Sequence, residues 1–179
     1  MKIYRYSGAG NSFVMLDSFA EDIVLSAAQV TDFCREYSTD GLIILRPSPE
    51  YDFAMEFFNP DGSSGMMCGN GGRCITLLSS RIGIRPRNGE YYEFEAPDGA
   101  HKSWILRDDT FSSVVKLSMK YPDEVRKVID GYFTDTGTRH FVKFVPDIKA
   151  VDVDAEGRLY RNRGEFSPQG ANVNFVQIL

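Results

Sequence analysis

The chain has 179 residues, 42% of them hydrophobic, enough for one to two domains with an apolar core that needs no disulfide staples. A mean hydropathy of -0.27, with no apolar run of membrane-spanning length, excludes a membrane helix, and the ordinary composition excludes collagen, coiled coil and a disordered tail. Twenty Lys and Arg against 25 Asp and Glu leave a formal charge of -5. That surplus is too small and scattered for a nucleic-acid footprint, so a small-molecule partner is expected, with no nucleic acid and no membrane.

The first residues, Met1-Lys-Ile-Tyr-Arg-Tyr6, are polar and alternating and lack the apolar stretch of a secretory signal, so the expected location is cytoplasmic. Tyr6-Ser-Gly-Ala-Gly-Asn-Ser-Phe-Val14 reads as a glycine-containing turn between two strands that presents Asn11. Ser12–Leu16, Leu42–Leu45 and Tyr51–Phe58 are strand-like, the last with Phe53, Met55 and Phe57 alternating against Asp52 and Glu56. Between the first two, Val30, Phe33, Cys34 and Tyr37 recur at i, i+3, i+4 and i+7 behind Ser26, the pattern of a capped amphipathic helix with Cys34 on its buried stripe.

A second helix is expected after Cys68-Gly-Asn-Gly-Gly72, with Cys74, Leu77, Leu78 and Ile82 on one face and Gly83 as its stop. Glu90–Glu95 and Lys102–Leu106, joined through Pro97-Asp98-Gly99, read as a hairpin. Val115, Leu117, Met119 and Tyr121 alternate, and Arg139–Val145 and Asn172–Leu179 are further strand patterns. Few elements follow Phe111–Tyr121 to build a second core, and the second unit is expected to be incomplete.

The chemistry concentrates around Cys68. A cysteine ahead of Gly-Asn-Gly-Gly at a helix start meets converging unpaired N–H groups and partial positive charge, which would stabilise its thiolate and suit it to proton transfer. The same groups suit a substrate carboxylate, and bare glycines allow close approach. A glycine-rich connection with a merely tolerated cysteine is the structural alternative. Three cysteines, Cys34, Cys68 and Cys74, at irregular spacing do not form a disulfide framework. The Cys68–Cys74 spacing, with only His101 and His140 to complete a set, does not read as zinc. Neither a P-loop nor a dinucleotide fingerprint occurs.

Taken together the motifs resemble diaminopimelate epimerase. The resemblance rests on Ser7-Gly-Ala-Gly-Asn-Ser-Phe-Val14, Phe58-Asn-Pro-Asp-Gly-Ser63, Met67-Cys-Gly-Asn-Gly-Gly-Arg-Cys74, Thr136-Gly-Thr-Arg-His-Phe-Val142 and Gly170-Ala-Asn-Val-Asn-Phe-Val-Gln177. It implies an α/β fold of two pseudo-symmetric domains, each a curved mixed sheet around a central helix, here residues 1–112 and an incomplete 113–179. It implies cofactor-independent epimerisation of LL- to meso-diaminopimelate for lysine and cell-wall precursors. Catalytic residues would be Cys68 and His140. Substrate would meet Asn11, Asn59, Gly69, Asn70 and Asn172, and no metal is implied. Thr138 stands where some members have a substrate-binding asparagine.

The mechanism so implied needs two bases, one for each face of the α-carbon. The family's second catalytic cysteine lies downstream of the strand matching Asn172–Val176, so this chain, which stops at Leu179, is expected to lack it. A non-catalytic binding remnant and a proline-racemase-like isomerase are the other readings, and a homodimer is open.

Overall fold

The computed structural model describes residues 2–109 and 111–179. It divides into two compact units, the first ending at Met119 and the second running from Lys120 to Leu179. The first holds a seven-stranded sheet in sequential order: β1 (Ile3–Gly8), β2 (Asn11–Asp17), β3 (Gly41–Arg46), β4 (Phe53–Phe58), β5 (Tyr92–Ala96), β6 (Gly99–Asp108) and β7 (Ser113–Leu117). The sheet is mixed. β2 and β3, and again β4 and β5, pair in parallel, and each parallel step is crossed by a helix, α1 (Ala27–Tyr37) and α2 (Gly69–Arg81) respectively, as parallel connections require.

Strand alternation sorts the side chains between the two helices. Phe13 and Met15 of β2, with Ile43 and Leu45 of β3, enter the cluster holding Cys74, Ile75 and Leu78 of α2. Val14, Leu16, Leu42 and Ile44 enter the other cluster, with Val30 and Cys34 of α1. Both faces of the central strands are therefore covered, which is why Phe13 to Leu16 are apolar without a break. α2 touches β1, β2, β3, β4, β6 and β7, so the sheet curls around it as a half-barrel with α2 as its central helix. α1 carries the expected Ser26 cap: its Oγ accepts from the Gln29 N–H, and Gln29 Oε1 accepts from the Ser26 N–H at 2.9 Å, a reciprocal capping box.

Two expectations for this unit need amending. The apolar face expected for α2 is too narrow, because Ile75, Thr76 and Ser79 are buried as well. The two hydroxyls survive there by bonding back to the helix, Thr76 to the Gly72 carbonyl and Ser79 to the Ile75 carbonyl, both at 2.8 Å, with Thr76 also meeting Ser103 of β6. The division between units falls after Met119 rather than after Ser112, since β7 completes its ladder on β6.

The second unit contains more than the few elements expected. A four-stranded sheet runs in the order β11-β10-β9-β8, from β8 (Val125–Val128), β9 (Gly131–Asp135), β10 (Arg139–Phe144) and β11 (Asn172–Val176), with α3 (Val153–Arg161) between the last two. β10 and β11 are parallel and the other pairs antiparallel. Phe141, Tyr160, Phe166 and Ala171 form its core, with the Phe141 and Tyr160 rings stacked at 5.1 Å. The path β9, β10, α3, β11 repeats β1, β2, α1, β3: a hairpin, then a helical crossover to a parallel strand.

Candidate active site

Cys68 occupies the N-cap of α2 in extended conformation, and its Sγ accepts from the Gly71 N–H at 3.4 Å. The sulfur is half-buried against the core cluster of the first unit. Burial pushes its pKa up, outweighing the Gly71 and Asn70 amides and the Arg73 charge, which pull it down. The expected thiolate stabilisation is therefore present but loses to desolvation, and the resting group is a thiol. Gly71 and Gly72 also differ from expectation. Added Cβ atoms would lie 2.7 Å from Ile43 Cδ1 and 2.8 Å from Met67 Cε, so these glycines seat the first turn in the core.

Asn11 opens β2 directly after the two-residue turn Ala9-Gly10, where φ is 49° and 94°, a primed hairpin turn matched to strand twist. Its Oδ1 accepts from Asn70 Nδ2 at 2.6 Å, and Arg73 donates to Asn70 Oδ1. Gly8 makes this junction possible, because a Cβ there would stand 2.8 Å from both the Asn70 carbonyl and Cys74 Sγ. Asn59 follows β4 at the same end of the sheet, since Phe58 pairs with Leu42 just as Phe13 pairs with Gly41. Its side chain donates to Ser63 Oγ at 3.0 Å within its own turn. The structure thus gathers Cys68, Gly69, Asn70 and Asn11 at the first turn of α2, with Asn59 at the same end of the sheet two strands from Asn11.

The other two cysteines are buried. Burial raises both thiols, that of Cys74 to about 11, and neither is suited to exchange protons with a ligand. A groove of about 470 Å³ lies beside Arg73, Leu77 and Arg81, with Tyr4 and Tyr6 across it, and Cys68 is not among its lining residues.

In the second unit His140 of β10 stands opposite Asn172 of β11 in register. Asn174 Nδ2 donates to the Asn172 and Phe141 carbonyls at 3.2 and 3.3 Å, which fixes its nitrogen on that side. The same NH2 group lies 3.2 Å from His140 Nδ1, and a donor group facing Nδ1 leaves the ring proton on Nε2, which donates to Thr138 Oγ1 at 2.8 Å. Burial lowers the His140 pKa, against the Asp135 charge that raises it, and the ring is neutral near pH 7. Arg161 donates to Asn172 Oδ1 at 3.3 Å. Sequence reasoning missed Asn174, although its two-residue spacing from Asn172 places both on one strand face, and it missed Arg73 and Arg161, whose roles depend on tertiary contacts.

The sequence model described as diaminopimelate epimerase matches residues 3–115. A diaminopimelate epimerase of Chlorobaculum tepidum is 37% identical, over 96% of this chain and 68% of its own length. The chain belongs to the diaminopimelate epimerase family. A diaminopimelate epimerase of Flavobacterium psychrophilum is 34% identical over 98% of the chain, again covering 68% of that protein. Among solved structures, a phenazine biosynthesis protein of the PhzF family from Bacillus anthracis matches with a TM-score of 0.60 at 16% identity. That match covers 81% of this chain and 56% of the other, and it supports the fold alone. The family's enzymes are isomerases, and this chain spans about two thirds of the curated relatives' length.

Proposed function

We propose that Cys68 moves a proton at an α-carbon of diaminopimelate, as part of cofactor-independent epimerisation between the LL and meso forms in the cytoplasm. The observation that carries this reading is the sulfur at the N-terminal amides of α2, beside the joined carboxamides of Asn70 and Asn11. Loss of the α-proton places negative charge on the adjoining carboxylate. Amides already aligned by the helix start, those of Gly69 and Asn70 first, stabilise that charge without reorganising. The raised pKa of Cys68 has a use here, since a thiolate of higher pKa is the stronger base and its acid form is the proton donor on return.

Asn59 is a further polar contact in the first unit; in the second, His140, neutral and held between Thr138 and Asn174, stands with Asn172 in a polar cluster of its own. Inversion needs a further acid-base group on the opposite face, a role for which buried Cys34 and Cys74 are unsuited. The substrate class is tested by incubating the chain in D2O with LL-diaminopimelate or with proline. Deuterium at the α-carbon of diaminopimelate, with or without meso product, is expected, and proline should stay unlabelled. Label in proline alone would replace this reading with a racemase of the proline type.

A further inference from the structure

We propose that Arg73 and Asp40 are positioning residues that lock the Asn70 and Asn11 carboxamides in one shared orientation, so that the pair offers N–H groups to a substrate carboxylate. This rests on the assignment of the site to diaminopimelate and adds two residues to it.

An asparagine side chain presents a donor end and an acceptor end, and isolated amides turn over freely between them. The guanidinium of Arg73 is a donor only, and it meets Asn70 Oδ1. Asn70 must then present its nitrogen onward, and that nitrogen donates to Asn11 Oδ1 at 2.6 Å. Beyond Asn11 stands the carboxylate of Asp40, held by the adjoining Ser12 and drawn further down in pKa by the Asn11 side chain. Ionised carboxylate is an acceptor only, so its charge favours the nitrogen end of Asn11 facing it, the same direction that the Arg73 end imposes.

Asp40 is itself anchored. It accepts from the Ser12 N–H at 2.8 Å and from Ser12 Oγ at 3.0 Å, and its own N–H donates to the Ser12 carbonyl at 2.9 Å. Reversing either amide would set N–H against guanidinium or carbonyl against carboxylate. With the direction fixed, each carboxamide keeps one N–H that these bonds do not use, beside the backbone amides at the start of α2. A set of uncommitted donors suits a carboxylate gaining charge and disfavours an ammonium group.

Two variants test this: Asp40→Asn, of the same shape but with a donor at the end of the chain, and Arg73→Lys, which keeps the charge and loses the planar fork. The first readout is the side-chain 15N–1H signals of Asn11 and Asn70, which do not depend on turnover. Asp40→Asn should move the Asn70 signal and Arg73→Lys the Asn11 signal, although neither pair is in direct contact. The second is deuterium exchange at the α-carbon of LL-diaminopimelate. Its kcat should fall roughly 10- to 100-fold, the scale seen when groups behind a functional residue are removed, with KM changing less and the melting temperature nearly unchanged.

Ser12→Ala, which loosens Asp40 without altering its charge, should give smaller changes of the same sign, and it replaces Asp40→Asn if that variant does not fold. Signals that move only beside the substituted residue overturn the proposal. So does undiminished exchange in variants of a protein whose exchange requires Cys68, and the reading of the site then stands. Absence of any Cys68-dependent exchange in the wild-type chain overturns the reading itself and the role assigned to both residues.

Discussion

At Cys68 two effects of opposite sign meet: the helix start favours the thiolate, and packing against the core favours the thiol. The structure gives the second the greater weight. Alkylation of Cys68 by iodoacetamide should therefore accelerate only at pH above the ordinary thiol range, and a rate already maximal at pH 7 would contradict that balance. The sequence shows the helix start through its glycines but not the burial, because burial depends on Ile43, Met55 and Phe94 arriving from distant strands. His140 follows similar logic. Its folded pKa lies below the ordinary 6.5, so its neutral form contributes stability in full above that pH. The contribution is lost as pH falls through the lower, folded value. An NMR titration of the imidazole should place its midpoint below 6.5; a midpoint above it would contradict the bonding assigned to Thr138 and Asn174.

At the scale of elements, what carried a local signature was legible and what relied on partners was not. α1 announced itself through Ser26 and the stripe of Val30, Phe33, Cys34 and Tyr37, all of which lie within one stretch of chain. The hairpin of β5 and β6 followed from Pro97-Asp98-Gly99, and Gly99 does adopt a φ of 124°. α3 went unread because only Tyr160 is buried and its remaining turns are charged, although Asp152 caps the Ala155 N–H at 3.0 Å and was a usable signal. Packing is close at Gly8, where β1 meets the start of α2. Gly8→Ala should destabilise that unit by about 1–3 kcal/mol, the usual cost of overpacking, measured by denaturant unfolding. An unchanged midpoint would show that β1 is free to move away. In the second unit, Phe141 lies at the centre of the stacked rings. Phe141→Ala should cost about 3–5 kcal/mol and strip hydrogen-exchange protection from β9, β10 and β11, whereas retained protection would mean that the ring cluster is not what holds this sheet.

For the molecule as a whole, the repeated path of hairpin, helix and parallel strand places different chemistry at matching positions. Ser12 and Asp40 flank the start of the β2–β3 pairing, and His140 and Asn172 hold the same place in β10 and β11. One scaffold thus carries an anchored carboxylate in one unit and a neutral imidazole in the other. The motifs that hold the proposed site residues carry local signatures because they sit at strand and helix ends, where backbone groups are left unpaired. Their supports, Arg73, Asp40 and Asn174, do not, because a supporting role is visible only when side chains from separate strands and helices are placed together. The account depends above all on Cys68 handling a proton at carbon. Its most direct test is the rate of α-deuterium incorporation into LL-diaminopimelate in D2O, compared between the wild-type chain and Cys68→Ala after both are shown to be folded. Incorporation by the wild type that disappears in Cys68→Ala is the expected result, and equal rates in the two, or none in either, would contradict it.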